Sequence, residues 1–227
     1  MAAMFGKGTG IVFDMDDTLY KEYQYRRSGL ACVADHYAAA CGMAPDDLFE
    51  VLQNRPSTAF EFVEEKAAAN GVKVTVDEQL TVYRSHRPDI TLDDDAVYAL
   101  THLRESGHLL GVITDGRALG QLNKIAVLDL ERYIAPEMIM PTVLYDTDKH
   151  HPEPFVRIER LMRQLGAQSM AYVGDNPSKD FMFPNLMGWR TVMLADFDNV
   201  NIHRQNLAEW PPQYRPQTII TSLRQLI

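Results

Sequence analysis

The amino-acid sequence predicts an α/β protein, a doubly wound parallel sheet interrupted once by a small helical insertion. Three observations carry that expectation. Short apolar runs of strand length recur and end in Asp, Thr or Gly. Amphipathic helical stretches lie between them. One long stretch, about residues 21–87, has helical patterning and little strand signal.

The runs are Ile11-Val12-Phe13, ending at Asp14; Leu109 to Ile113, ending at Thr114; Met170 to Val173, ending at Gly174-Asp175; and Thr191 to Leu194, ending near Asp196. Each has strand length and β-branched content. Ala96, Val97, Leu100 and Leu103 fall at helical spacing before Gly107. Phe155, Ile158, Leu161, Met162 and Leu165 do so before Gly166, which reads as a helix C-cap. Strands alternating with helices make a parallel sheet with crossover connections. Ligands of such sheets sit at the carboxyl ends of the strands, which is where these polar residues fall.

The interrupting stretch contains Ala38 to Ala40, the run Phe60 to Ala69, and Asn70-Gly71 as a helix stop. It predicts a helical cap over residues 21–87, inserted into a core formed by residues 1–20 and 88–227. An ordinary helical subdomain without a functional role is the alternative at this point.

Composition narrows the function. The 227 residues are 46% hydrophobic and 23% charged, with a net charge of −9. That charge argues against nucleic acid as a partner, because phosphate backbones require basic patches. It leaves small phosphorylated substrates open, since a bound cation reverses the field of an acidic site. Cys32 and Cys41 lie in what reads as one alanine-rich helix, roughly 13 Å apart and too far for a disulfide. Both are expected to be reduced thiols of a cytosolic protein. No apolar run approaches the length of a membrane span, and oligomeric state is left open.

Four clusters carry chemistry. Asp14-Met15-Asp16-Asp17-Thr18 places three carboxylates directly after an apolar strand, where they repel one another unless a cation is present. Thr114-Asp115-Gly116 offers a hydroxyl and main-chain N–H groups suited to phosphate. Lys149 stands in the loop Asp148-Lys149-His150-His151-Pro152. Asp175 and Asp180, in Gly174-Asp175-Asn176-Pro177-Ser178-Lys179-Asp180, suit a hard cation with oxygen ligands. Singly, each is also readable as a solvated turn; together, and in this order after successive strands, they form a pattern.

That pattern resembles the haloacid dehalogenase (HAD) superfamily. Asp14 to Thr18 matches its D-x-D-x-T motif, Thr114 its second, Lys149 to Phe155 its third (usually K-P-x-P-x-x-F), and Gly174-Asp175 with Asp180 its fourth, G-D-x-x-x-x-D. The resemblance spans Ile11 to Leu194. It implies a HAD-like Rossmannoid core with a helical cap. His150 stands where the family usually has proline; a second register would align Pro152-Glu153-Pro154 with P-x-P, but Lys149 needs no gap and keeps Phe155 in place.

The resemblance implies a Mg²⁺-dependent hydrolase of small phosphate monoesters that works through an aspartyl-phosphate. Asp14 would be the nucleophile and Asp16 the general acid and base. Thr114, Asp115, Gly116 and Lys149 would hold the phosphoryl oxygens. Asp14, the main-chain carbonyl of Asp16, and Asp175 would hold the metal, with Asp180 a ligand or an orienting residue. Tyr20, Tyr23, Arg26, Arg27, Arg117, His150 and His151 are candidates for touching substrate. Rival readings are a phosphomutase on the same core, a metal-independent dehalogenase, an inactive scaffold, and a phospho-accepting receiver domain. Asp16 and Asp175 speak against the dehalogenase, and the helical insertion against the receiver.

Overall fold

The computed structural model describes residues 4–227, which fold as two compact units. One consists of residues 4–22 and 91–227; the other is residues 23–90.

The larger unit is built on a six-stranded, wholly parallel sheet. Its strands are β1 (Thr9–Phe13), β2 (Leu109–Thr114), β3 (Ile139–Pro141), β4 (Ser169–Gly174), β5 (Arg190–Leu194) and β6 (Thr218–Ile220). Their spatial order is β3-β2-β1-β4-β5-β6. The chain thus steps outward from β1 in one direction, returns, and steps outward from β4 in the other. Right-handed crossovers then put helices on both faces, and the reversal between β1 and β4 opens a crevice at their carboxyl ends. The four apolar runs read from the sequence are β1, β2, β4 and β5. The short edge pieces β3 and β6 were not anticipated.

Burial on both faces explains the continuous apolar runs. Ile11, Val12, Phe13, Val112, Ile113, Ala171, Tyr172, Val173 and Val192 are fully buried. The helix α1 (Glu22–Cys41) begins at the edge of this unit and continues into the other. In the smaller unit it is followed by α2 (Pro45–Gln53), α3 (Ala59–Ala69) and α4 (Val76–Ser85). Leu30, Val33, Tyr37, Leu48, Leu52, Val63 and Ala67 close a core among these helices. Asn70-Gly71 ends α3 as expected, with Val72 N–H bonded back to Ala67 O at 2.9 Å. Cys32 and Cys41 both lie on α1 as free thiols. Among the described residues, no helix is long and apolar enough to cross a membrane.

The larger unit continues with α5 (Asp94–Glu105), α6 (Ala118–Val127), α7 (Glu153–Gln164) and α8 (Met182–Leu186). Ala96, Leu100 and Leu103 of α5, and Phe155, Ile158 and Met162 of α7, are buried as the sequence periodicity marks, whereas Val97 and Leu165 are exposed and Ala99 takes the place of Val97 on the buried face. Gly166 stops α7 at φ +96°, a left-handed conformation that glycine adopts without a Cβ clash. It lets Ala167 N–H reach Met162 O at 2.9 Å. Helix α7 lies so close to the sheet that β2 carries glycine beneath it. A Cβ on Gly111 would stand 2.7 Å from both Ile158 Cδ1 and Met162 Cε, and 3.2 Å from the Met138 carbonyl oxygen. We therefore expect Gly111→Val to overpack this seam and cost about 1–3 kcal/mol. An unchanged midpoint of chemical unfolding would show that the seam has room.

Candidate active site

The register of the central strands brings the first and fourth clusters together. Phe13 pairs with Val173, and Asp14 N–H extends the ladder by one bond to Val173 O at 2.8 Å. Asp14 therefore leaves the sheet beside Gly174-Asp175. The loop after β4 folds Asp180 back over Gly174. A Cβ there would stand 2.8 Å from Asp180 Cγ, so only glycine fits. One carboxylate oxygen each of Asp14, Asp175 and Asp180 lies within 4.8 Å of the others, and all three residues are buried.

Lys149 is wholly buried among them. Its Nζ donates to Asp14 Oδ1 at 2.5 Å and Asp180 Oδ1 at 2.6 Å, and stands 3.3 Å from the Tyr172 hydroxyl. The other oxygen of Asp180 accepts from Asn176 N–H at 2.9 Å. Asp175 Oδ2 accepts from Asn201 Nδ2 at 3.0 Å. Burial opposes charge on Lys149, but Asp14 and Asp180 outweigh it and keep the ammonium protonated. Burial pushes the Asp14 carboxyl up to about 7, with Lys149 opposing and Asp180 adding to the rise. Asp175 is pushed well above the ordinary range by burial and then by the charges of Asp14 and Asp180. Three buried carboxylates face one ammonium, an excess of two negative charges presented entirely through oxygen. That donor set fits a hard divalent cation such as Mg²⁺.

Asp16 has different company, two residues along. Its carboxylate accepts from Lys124 Nζ at 2.7 Å, from Gln121 Nε2 at 3.0 Å and from the Tyr20 hydroxyl. Burial alone would raise its carboxyl; Lys124 and these hydrogen bonds outweigh burial and hold it below the ordinary value. Its side chain stands outside the cluster of three, and the ligand expected from Asp16 is its main-chain carbonyl. Gln121 also lies 3.2 Å from Thr114 Oγ1 and donates to the Asp115 carbonyl, so one amide ties the first cluster to the second. The Asp115 carboxylate accepts from Thr142 Oγ1 at 2.7 Å and Lys149 N–H at 3.1 Å. Gly116, exposed at the turn, packs against the Gln121 side chain.

Of the candidates for touching substrate, Tyr20 is corrected. It is fully buried and spends its hydroxyl on Asp16 four residues back, because the chain turns tightly after the motif. His150 and His151 are exposed; His151 Nδ1 lies 2.7 Å from Asp148 Oδ1, which also accepts from the main-chain N–H of His150 at 2.9 Å. Arg117 is exposed just before α6.

Residues 11–194 match the family model of the haloacid dehalogenase-like hydrolases. The chain belongs to that family. It is 24% identical to a glyceraldehyde 3-phosphate phosphatase of Methanopyrus kandleri, over 95% of this chain and 97% of that protein. Among solved structures, it is similar to a 2-haloacid dehalogenase from Pseudomonas syringae pv. tomato, with TM-score 0.61, 23% identity and 96% of each chain covered. It is also similar to a HAD phosphatase from Thermococcus onnurineus, with TM-score 0.59 and 21% identity, covering 96% of this chain and 95% of that one. At these identities the structures establish the HAD-like fold.

Within this HAD-like site, sequence reasoning missed Lys124, Gln121, Tyr172 and Asn201. Lys124 and Gln121 stand one turn apart on α6, where both side chains read as solvent-facing. Tyr172 reads as one more apolar strand residue. Tyr20 was available as a partner of Asp16, because it follows the acidic cluster at close range.

The raised carboxyls make the metal-free protein pH-sensitive. Asp14 and Glu22, each raised to about 7, bind protons in the folded state at pH values where the unfolded chain has released them. Folding therefore gains from acidity in that window, and the gain disappears as pH rises through about 7. Asp16, held low, acts in the opposite direction and only at more acidic pH. With chelator present, we expect a higher Tm at roughly pH 5.5 than at roughly pH 8. The reverse order in thermal melts would contradict the crowding of charge described above.

Proposed function

We propose that this HAD-like hydrolase is a Mg²⁺-dependent phosphatase of small phosphate monoesters, with Asp14 as nucleophile and a transient aspartyl-phosphate. The observation that carries this reading is the contrast between two carboxylates two residues apart. Asp14 sits among carboxylates with Lys149, and Asp16 sits with Lys124, Tyr20 and Gln121. A cation bound among Asp14, Asp175 and Asp180 would offset the burial and crowding that push Asp14 up and leave it anionic for attack, while Asp16, outside that cluster, is left to carry protons.

Asp14, Asp175, Asp180 and the main-chain carbonyl of Asp16 would hold the cation. When bound, it supplies charge neutralisation between the carboxylates and the incoming phosphate. An Asp14 oxygen attacks phosphorus, the ester P–O bond breaks, and the leaving alkoxide takes a proton from Asp16. Asp16 then removes a proton from water, which attacks phosphorus, releases inorganic phosphate and restores Asp14. The Lys124 contact favours the anionic form used in that second half-reaction. Thr114, Lys149 and the N–H groups of Asp115 or Gly116 hold the phosphoryl oxygens.

The relative that acts on glyceraldehyde 3-phosphate supports a small phosphorylated metabolite as substrate. The helical unit of residues 23–90 would act as a cap and select the leaving group. The setting we propose is the cytosol, where Cys32 and Cys41 stay reduced. A dehalogenase would need neither the metal nor an acid at position 16.

A panel of phosphorylated metabolites, assayed with Mg²⁺ and with excess chelator, tests the reading. Turnover should require Mg²⁺, and Asp14→Asn should abolish it. Full turnover in chelator, or halide release from a 2-haloacid, would sink the proposal. Asp16→Asn should slow poor leaving groups by roughly 10²–10⁴-fold and p-nitrophenyl phosphate by less. An equal loss on both would remove Asp16 from the acid role. Joint replacement of Arg26 and Arg27 by alanine should raise KM for charged substrates and spare p-nitrophenyl phosphate; an unaltered substrate ranking would move selection elsewhere.

A further inference from the structure

The loop after β5 inverts the usual rule of burial. Asn201 is 5% exposed, while its apolar neighbours Val200 and Ile202 are 43% and 48% exposed. Burying an amide and leaving two branched apolar side chains in water is unfavourable unless the amide is used. Both of its ends are. Nδ2 donates to Asp175 Oδ2 at 3.0 Å, and Oδ1 accepts from Lys21 Nζ at 3.1 Å. With an acceptor on one side and an ammonium on the other, only this amide orientation satisfies both.

The backbone around Asn201 is clamped to hold it there. Asp196 accepts from Val200 N–H at 3.1 Å and from Asn201 N–H at 2.9 Å. Asp17 accepts from Ile202 N–H at 3.0 Å. Gln205 donates to the main-chain carbonyls of Asp175 and Leu194, each at 2.8 Å. The loop is thus tied to the strand that carries Asp175 and to the segment that carries Asp17 and Lys21. It lies beyond residue 194, where the family match ends.

We propose that Asn201 is a positioning residue for Asp175, fixing its carboxylate through Oδ2 for the cation that Asp14, Asp175 and Asp180 would hold. The inference rests on the metal site of the proposed function. Partners of this kind, one step removed from a metal, typically change its affinity by about 10–100-fold when lost.

The test is direct titration of the whole, otherwise unmodified chain with Mn²⁺, followed by the electron paramagnetic resonance of free Mn²⁺, with thermal melts alongside. Asn201→Ala should weaken Mn²⁺ binding by about tenfold or more. Its KM for p-nitrophenyl phosphate at saturating Mg²⁺ should stay at the parent value. In an Asp175→Asn background the same change should add little further loss, because the amide has lost its charged partner. Asp196→Ala removes the clamp on the Val200 and Asn201 N–H groups, and should also weaken Mn²⁺ binding, by less than Asn201→Ala. Parental affinity in Asn201→Ala, or a full further loss when Asn201→Ala is added to Asp175→Asn, would overturn the assignment and leave the loop a structural tie. Absence of Mn²⁺ binding by the parent chain would instead remove the metal site itself.

Discussion

Everything at the carboxyl ends of the strands depends on the buried ammonium of Lys149. Its Nζ touches Asp14 and Asp180 at once, with no exposure to solvent. Two carboxylates brought that close in a low-dielectric setting repel, and removing their shared cation would leave uncompensated buried charge. The lysine arrives from the loop before α7, on the far side of β2 and β3 in chain order. The sheet must therefore be assembled before its charges balance. One ammonium still leaves an excess of negative charge, and the pressure toward protonation on Asp14 and Asp175 follows from that excess.

A second balance, built separately, surrounds Asp16. Lys124 answers it, with Tyr20 and Gln121 completing its hydrogen bonds. Glu22 stands 4.0 Å from the same lysine and is itself pushed up to about 7, by burial and by Asp16. Adjacent carboxylates on one short loop are thereby kept in different electrostatic surroundings. In the mechanism we propose, that separation leaves Asp14 to the cation and phosphorus and Asp16 to the proton.

Asp14, Thr114 and Asp175 were legible because each closes an apolar strand, and the four apolar strands read from the sequence are the inner four of the sheet. The edges were not legible. Ile139–Pro141 and Thr218–Ile220 are three residues long, too short for an alternation or an apolar run to register. The supporting residues were hidden for another reason. Lys124, Gln121 and Asn201 are polar residues on a helix or loop, and such residues are usually solvated. Nothing local distinguishes one that folds inward.

By itself, the sequence determined the parallel α/β core and the interrupting helical stretch, and marked Asp14, Asp16, Thr114, Lys149, Asp175 and Asp180 as the candidate chemical residues. Hydrophobic period and strand-end position are local properties, carried by residues a few positions apart. Only the tertiary structure decided how those charges are answered. It set Lys149 against Asp14 across 135 positions and Lys124 against Asp16 across 108, and it dropped Asn201 onto Asp175 from a loop past the last matched strand. Such pairings depend on which strands lie side by side, and that is settled by packing of the whole sheet rather than by any segment of the chain.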